Sequence, residues 1–184
     1  MEKISLRRLN ISDLHPQMLI DFHHIQSITS KWVKKDGAWE LEKASALRQW
    51  DEAKKVWMAQ YLRQQLDRNG CVLGAFENNR LIGFAAVDGG IKGQSGKYAN
   101  LTLLFIDDNW KRRGIGTKLF RQACLCAAGM GADKLFISAV PSYETVAFYF
   151  KMGCLDAEEV IDEFVDTEFD RYLEYSLNQG YEEP

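Results

Sequence analysis

The chain has 184 residues, of which 46% are hydrophobic and 27% charged. That is enough apolar material for a buried core in one domain, and it excludes a disordered chain. A net charge of -3 provides no overall field to gather nucleic acid or an anionic membrane surface. No apolar run approaches the ~20 residues of a membrane helix, and the charged start from Met1 to Arg8 has no apolar signal core. A cytoplasmic protein is expected.

Taken in order, Ile4-Ser5-Leu6-Arg7 alternates like a short strand. Ser12 or Asp13 is placed to cap a helix running toward Ser30. Lys31 to Lys43, with one Gly and two tryptophans, reads as a loop or small hairpin. A helix is expected from Ala44 to Asp67, with Leu47, Trp50, Ala53, Trp57 and Tyr61 on one face and Asn69-Gly70 as its stop. Cys71 to Phe76 and Leu81 to Val87 form a hairpin about Asn78-Asn79, residues that tolerate positive φ. After a Gly-rich loop from Asp88 to Gly96, Tyr98 to Ile106 is apolar enough for a central strand covered on both faces.

A helix over Ile115 to Ala128 stops at Gly129 and Gly131. Leu135 to Val140 is a strand halted by Pro141, and Ser142 caps a helix ending at Lys151-Met152-Gly153. The acidic stretch Asp156 to Asp170 leads to a last strand, Arg171 to Leu177, with Leu173, Tyr175 and Leu177 inward and Glu174 and Ser176 outward. The expected fold class is α/β (α+β), with a mixed sheet and flanking helices. The cysteines (Cys71, Cys124, Cys126 and Cys154) fit no zinc or disulfide spacing and read as buried free thiols. With three histidines no metal is expected.

The chemistry is concentrated after the central strand. Leu103-Leu104-Phe105-Ile106 runs into Asp107-Asp108-Asn109-Trp110, then Lys111-Arg112-Arg113-Gly114-Ile115-Gly116-Thr117 opens a helix. Free N–H groups and the dipole of a helix N-terminus attract anions. Gly114 and Gly116 let oxygens approach the backbone, and the three basic side chains add charge. The implied ligand is a phosphate or pyrophosphate. The glycine spacing matches neither the dinucleotide fingerprint nor the P-loop, so a plain basic turn remains the alternative on these residues alone.

Lys111-Arg112-Arg113-Gly114-Ile115-Gly116 resembles the [Arg/Gln]-x-x-Gly-x-[Gly/Ala] motif of GNAT N-acetyltransferases. Phe148-Tyr149-Phe150-Lys151-Met152-Gly153-Cys154 is similar to that family's Phe-Tyr-x-Lys-x-Gly-[Phe] signature, in the right order and about the right distance on. The resemblance covers Tyr98 to Leu155 firmly and extends over Cys71 to Leu177. It implies a mostly antiparallel sheet with a splayed central strand. It divides one acetyltransferase domain into substrate-side elements (1–70), an acetyl-CoA-binding core (71–155) and C-terminal strands and tail (156–184).

By the same resemblance, the backbone from Lys111, Arg112 and Arg113 through Gly114, Ile115, Gly116 and Thr117 would hold the CoA pyrophosphate. Leu104, Phe105 and Ile106 would meet the pantetheine amides, and a main-chain N–H near Phe105 would polarise the acetyl carbonyl. Tyr149 would be the general acid that protonates the departing thiolate. Lys111 stands where Arg or Gln is usual, and Ser142 where an Asn often contacts the cofactor. Tyr143 is a second candidate acid. The usual position of a general base shows Asn100 and Thr102, while Asp107 and Asp108 read as turn-shaping residues.

The implied reaction moves an acetyl group from acetyl-CoA, a co-substrate, to a primary amine by direct attack. The acceptor would be a small amine first and a protein amine second. Trp32, Trp39, Trp50 and Trp57 are candidates to line its pocket, and the acidic stretch to attract a cation. The alternatives are a catalytically silent acyl-CoA-binding or regulatory domain and, against the acidic charge, a nucleic-acid module. No nucleic-acid or membrane partner is expected, and a homodimer is left open.

Overall fold

Residues 4–178 are described by a computed structural model. In chain order the strands are β1 (Ser5–Arg8), β2 (Ile25–Lys35), β3 (Ala38–Gln49), β4 (Cys71–Glu77), β5 (Arg80–Val87), β6 (Tyr98–Ile106), β7 (Lys134–Ala139), β8 (Leu155–Asp156) and β9 (Arg171–Ser176). The α-helices are α1 (Glu52–Asp67), α2 (Ile115–Gly129) and α3 (Tyr143–Lys151). A seven-stranded sheet takes the order β1-β4-β5-β6-β7-β9-β8, and β2 with β3 makes a separate two-stranded ribbon. Among the described residues only β6 and β7 pair in parallel; the other pairings are antiparallel.

Alternation along the strands splits the core between two faces. On the back, Leu119, Phe120 and Ala123 of α2 and Tyr149 of α3 pack on Ala85, Ala99, Leu135 and Leu173. On the front, Met58 and Leu62 of α1 join Leu19 and Phe22 over Val72, Phe84 and Phe105. Farther along the same face, Ile161 and Phe164 cover Tyr98 and Phe136. The front is therefore roofed twice, with an interval between the roofs where β6 and β7 lie. Among the described residues no helix is long and apolar enough to cross a membrane.

Several expectations hold closely. Asn78 and Asn79 turn the β4–β5 hairpin at φ 46° and 67°, and Ser142 caps α3 by accepting from Thr145 N. Others fail. The helix expected after Ser12 is absent; short turns follow, and residues 25–35 are a strand. The period-2 alternation is visible in retrospect: His24, Gln26, Ile28, Ser30 and Trp32 face inward, and Ile25, Ser27, Thr29 and Lys31 face outward. The small hairpin is in fact a long ribbon that extends through Gln49.

That ribbon takes the segment expected as the first turns of the 44–67 helix. Asp51 is the true N-cap and accepts from Lys54 N at 2.7 Å. Starting there rotates the buried face to Met58, Ala59, Leu62 and Gln65, leaving Trp57 47% exposed under the Lys54 ammonium. Cys71 and Cys126 are joined as a disulfide, against the expectation of free thiols; Cys124 and Cys154 are free and buried. Packing α2 on β4 brings together positions 55 apart, which sequence spacing alone does not disclose. Glu174, expected outside, is buried, because Lys134 and Tyr98 satisfy its carboxylate at 2.7 and 2.8 Å.

Candidate functional site

The site begins where the sheet opens. β6 pairs with β7 only over Tyr98–Asn100, opposite Lys134–Phe136, while its pairing with β5 continues to Ile106. Among the described residues, the β7-facing edge of β6 has no strand partner beyond Asn100. Asp107 N donates to Ile82 O at 2.9 Å. Since amides alternate along an antiparallel ladder, Leu103 and Phe105 share that direction and Leu104 and Ile106 present their amides to the uncovered edge. Their side chains alternate as well: Leu104 and Ile106 pack behind, Leu103 and Phe105 in front.

A rigid turn fixes the end of β6. The Asp107 carboxylate is fully buried; it accepts from His23 N at 3.0 Å, Asn109 N at 2.9 Å and Arg80 Nη2 at 3.2 Å. Asp108 accepts from Ile25 N and pairs with Lys111. Both aspartates shape the turn, as their sequence position suggests. Neither is free to take a proton from an amine.

The next residues lead into α2. Arg112 and Gly114 lie at φ 65° and 76°, a change of hand that gathers successive N–H groups on one side, as in anion-binding nests. Gly114 is the N-cap of α2 and offers no side chain, so the first-turn amides of Ile115, Gly116 and Thr117 are uncapped. Among the described residues no backbone N–H from Lys111 to Thr117 donates to a protein acceptor. Lys111, Arg112 and Arg113 are exposed around it, and Arg113 rests over the Trp110 ring at 4.5 Å. A Cβ on Gly116 would meet the Phe148 ring at 3.3 Å, so β6, α2 and α3 converge at this point.

Tyr149 follows Phe148 on α3. Its ring lies 5.2 Å from Phe148 and 6.1 Å from Phe120, and it is 7% exposed. Burial, with a smaller contribution from Cys154, raises its pKa far enough to keep the hydroxyl protonated. Tyr143, at the start of α3, is 48% exposed. Ser142 lies outside the group: its buried hydroxyl caps Thr145 N at 3.2 Å and receives Gln26 Nε2 at 3.1 Å.

Of the four tryptophans considered for an acceptor lining, only Trp50 joins an aromatic group beside the opening, 4.8 Å from Phe105 and 4.6 Å from His24. Burial holds the His24 imidazole down at about 4, so it is neutral. Trp32 and Trp39 instead flank the Arg171 guanidinium at 5.0 and 4.8 Å, with Phe150 at 4.9 Å and Asp156 binding it twice at 2.7 and 2.8 Å. This clamp, and Trp32 N on Pro141 O at 2.7 Å, fasten the ribbon to the end of β7. The other end of β2 is held at Asp107 and Asp108, so β2 bridges the two diverging strands. No sequence motif announces this bridge.

The solved structures with this architecture include nourseothricin acetyltransferase, 13% identical, with TM-score 0.63, covering 93% of this chain and 95% of that one. A Bacillus anthracis protein solved in complex with acetyl coenzyme A is 16% identical, with TM-score 0.63, covering 95% and 99%. PaiA N-acetyltransferase from Thermoplasma acidophilum, in complex with coenzyme A, is 16% identical, with TM-score 0.59, covering 95% and 99%. At these identities the likeness establishes the fold. No curated protein matches the chain in sequence. The Acetyltransferase (GNAT) family model matches residues 32–154, more than half of the chain, and spans both the amide cradle and Tyr149. The chain belongs to the GNAT acetyltransferase family.

Proposed function

We propose that this protein transfers the acetyl group of acetyl-CoA to a primary amine by direct attack within a ternary complex. The observation that carries the reading is the continuity of two unpaired amide arrays. The open edge of β6 at Leu104 and Ile106 leads straight into the uncapped amides from Arg112 to Thr117. That arrangement fits an amide-bearing arm ending in a pyrophosphate, and two of the related structures were solved with CoA or acetyl-CoA. Acetyl-CoA supplies an activated thioester.

The chain's own groups supply the rest. The Leu104 N–H, aimed at the opening, is the donor for charge developing on the acetyl oxygen, in place of the Phe105 region as a whole. Tyr149 holds a proton and is the acid for the departing sulfur. Ser142 contributes no hydroxyl contact, since the α3 cap engages it. The free cysteines are buried, and burial raises the Cys154 thiol, which favours direct attack over an acyl-cysteine intermediate. Small amines precede protein amines as acceptors because β2 bridges the mouth of the opening.

The test is thiol release from acetyl-CoA against a panel of small amines and peptide N-termini, with Tyr149→Phe in parallel. Turnover by the wild type that drops in the variant supports the reading. Acetyl-CoA binding without turnover on any amine would favour a silent acyl-CoA-binding domain.

A further inference from the structure

The front interval between α1 and the 157–170 segment contains charge and hydrogen-bonding capacity that the transfer chemistry does not use. Asp170 is 7% exposed and accepts from the hydroxyls of Ser138 at 2.9 Å and Thr167 at 3.0 Å. The buried carboxylate of Asp107 has Arg80, and that of Glu174 has Lys134. Asp170 has no basic partner among the described residues. An uncompensated buried carboxylate is costly unless a cation reaches it.

A second, independent feature lies on β6. Asn100 is 7% exposed, and its Oδ1 is buried without a hydrogen-bond partner. It stands opposite Phe136 at the last paired position of β6 and β7. Two residues farther along, Thr102 and Ser138 would face each other had the pairing continued. Ser138 Oγ donates to Asp170 and accepts from Asp166 N at 3.1 Å, which sets both aspartates on the β7 wall of the opening. Asp166 has an exposed side chain.

We infer that this interval is a cation subsite, in which Asp170, Asp166 and Asn100 Oδ1 hold a positively charged group of the acceptor other than the amine that reacts. The inference rests on the acetyl-transfer reading above and names its substrate class. Spacing defines the class further. The Thr102–Ser138 level lies two residues before Leu104 along β6, somewhat less than the ~7 Å of a regular extended strand because β6 slips register against β5 between Leu101 and Leu103. The acceptor that fits is an aliphatic diamine, with one nitrogen neutral at the Leu104 amide and the other charged at Asp170.

The experiment compares 1,5-diaminopentane with 5-aminopentan-1-ol, which has the same reach and a hydroxyl in place of the second cation. Acetyl-CoA binding is measured separately by calorimetry. The expected result is a kcat/KM for the diamine about tenfold or more above that of the amino alcohol. Asp166→Asn and Asp170→Asn should each bring that ratio toward one without moving the acetyl-CoA dissociation constant. Asp166→Asn changes an exposed side chain and so covers the case in which Asp170→Asn does not fold. Equal rates for the two probes, or a ratio unmoved in Asp166→Asn, would overturn the inference and leave the acetyl-transfer reading standing. So would failure of the diamine either to react or to bind the acetyl-CoA complex. Failure of the folded wild type to bind acetyl-CoA would overturn both.

Discussion

Replacing Gly114 by Glu and, in parallel, Gly131 by Glu separates backbone strain from ligand charge. The two glycines flank α2, at φ 76° and 88°, and a Cβ on either meets nothing within 4 Å. Each substitution forces a side chain into the left-handed region at about 1–2 kcal/mol, equivalent to a fall of roughly 2–8 °C in melting temperature for a chain of this size. The two variants should therefore lose similar stability. Only Gly114→Glu places a carboxylate at the cradle. One like-charge pair at ~5 Å in an effective dielectric of ~20 costs about 3 kcal/mol, or roughly a hundredfold in affinity. Calorimetric titration with acetyl-CoA should show that loss in Gly114→Glu and near-wild-type binding in Gly131→Glu. Equal affinities for the two variants would refute the assignment of the pyrophosphate to these amides.

Tyr149→Phe should lower kcat roughly a hundredfold with little change in the KM for acetyl-CoA, read by steady-state thiol release. An unchanged kcat would move the acid to Tyr143 or to solvent. Asp107→Ala leaves the His23 and Asn109 amides without their acceptor and Arg80 Nη2 with the Asp21 carbonyl alone, and a loss of about 2 kcal/mol or more is expected in thermal or urea unfolding. For Glu174, burial pushes the carboxyl up, but Lys134, Tyr98 and the Glu158 amide outweigh it and hold its pKa below the ordinary value. A pKa depressed by folding adds stability above the unfolded carboxylate range, and that stability is lost as pH falls through the folded value. The wild type should therefore lose melting temperature on acidification, while Glu174→Gln starts lower at neutral pH and falls less.

From Cys71 onward the sequence discloses most of the architecture. There, local rules and tertiary packing agree. Asn78-Asn79 suits its turn, Ser142 its cap, and the unbroken apolar run of β6 its covered position. Before Cys71 the two disagree. The step from Leu47 to Trp50 to Ala53 imitates a helix face, although Leu47 is 65% exposed on a strand and the helix starts only at Asp51. Asp51 followed by Glu52 was the readable start signal, and the weak apolar periodicity of the segment hid it.

The site divides similarly. The turn that opens α2 is local, so Gly114 and the basic residues mark it in sequence. The divergence of β6 from β7, the bridge made by β2 and the Arg171 clamp join residues far apart in the chain, and no spacing encodes them. In the sequence Asn100 stands only as a neutral residue where a general base is usual. Only the end of strand pairing beside it gives its unpartnered oxygen a setting.

Direct acetyl transfer is tested by incubating the wild type with acetyl-CoA, with and without a primary amine, and following the acetyl group by mass spectrometry of both the protein and the small molecules. The acetyl group should appear on the amine, with one free CoA thiol per product, and the protein mass should be unchanged when the amine is absent. Acetyl-CoA recovered intact with every amine, or an acetyl group retained on the protein, would contradict direct transfer.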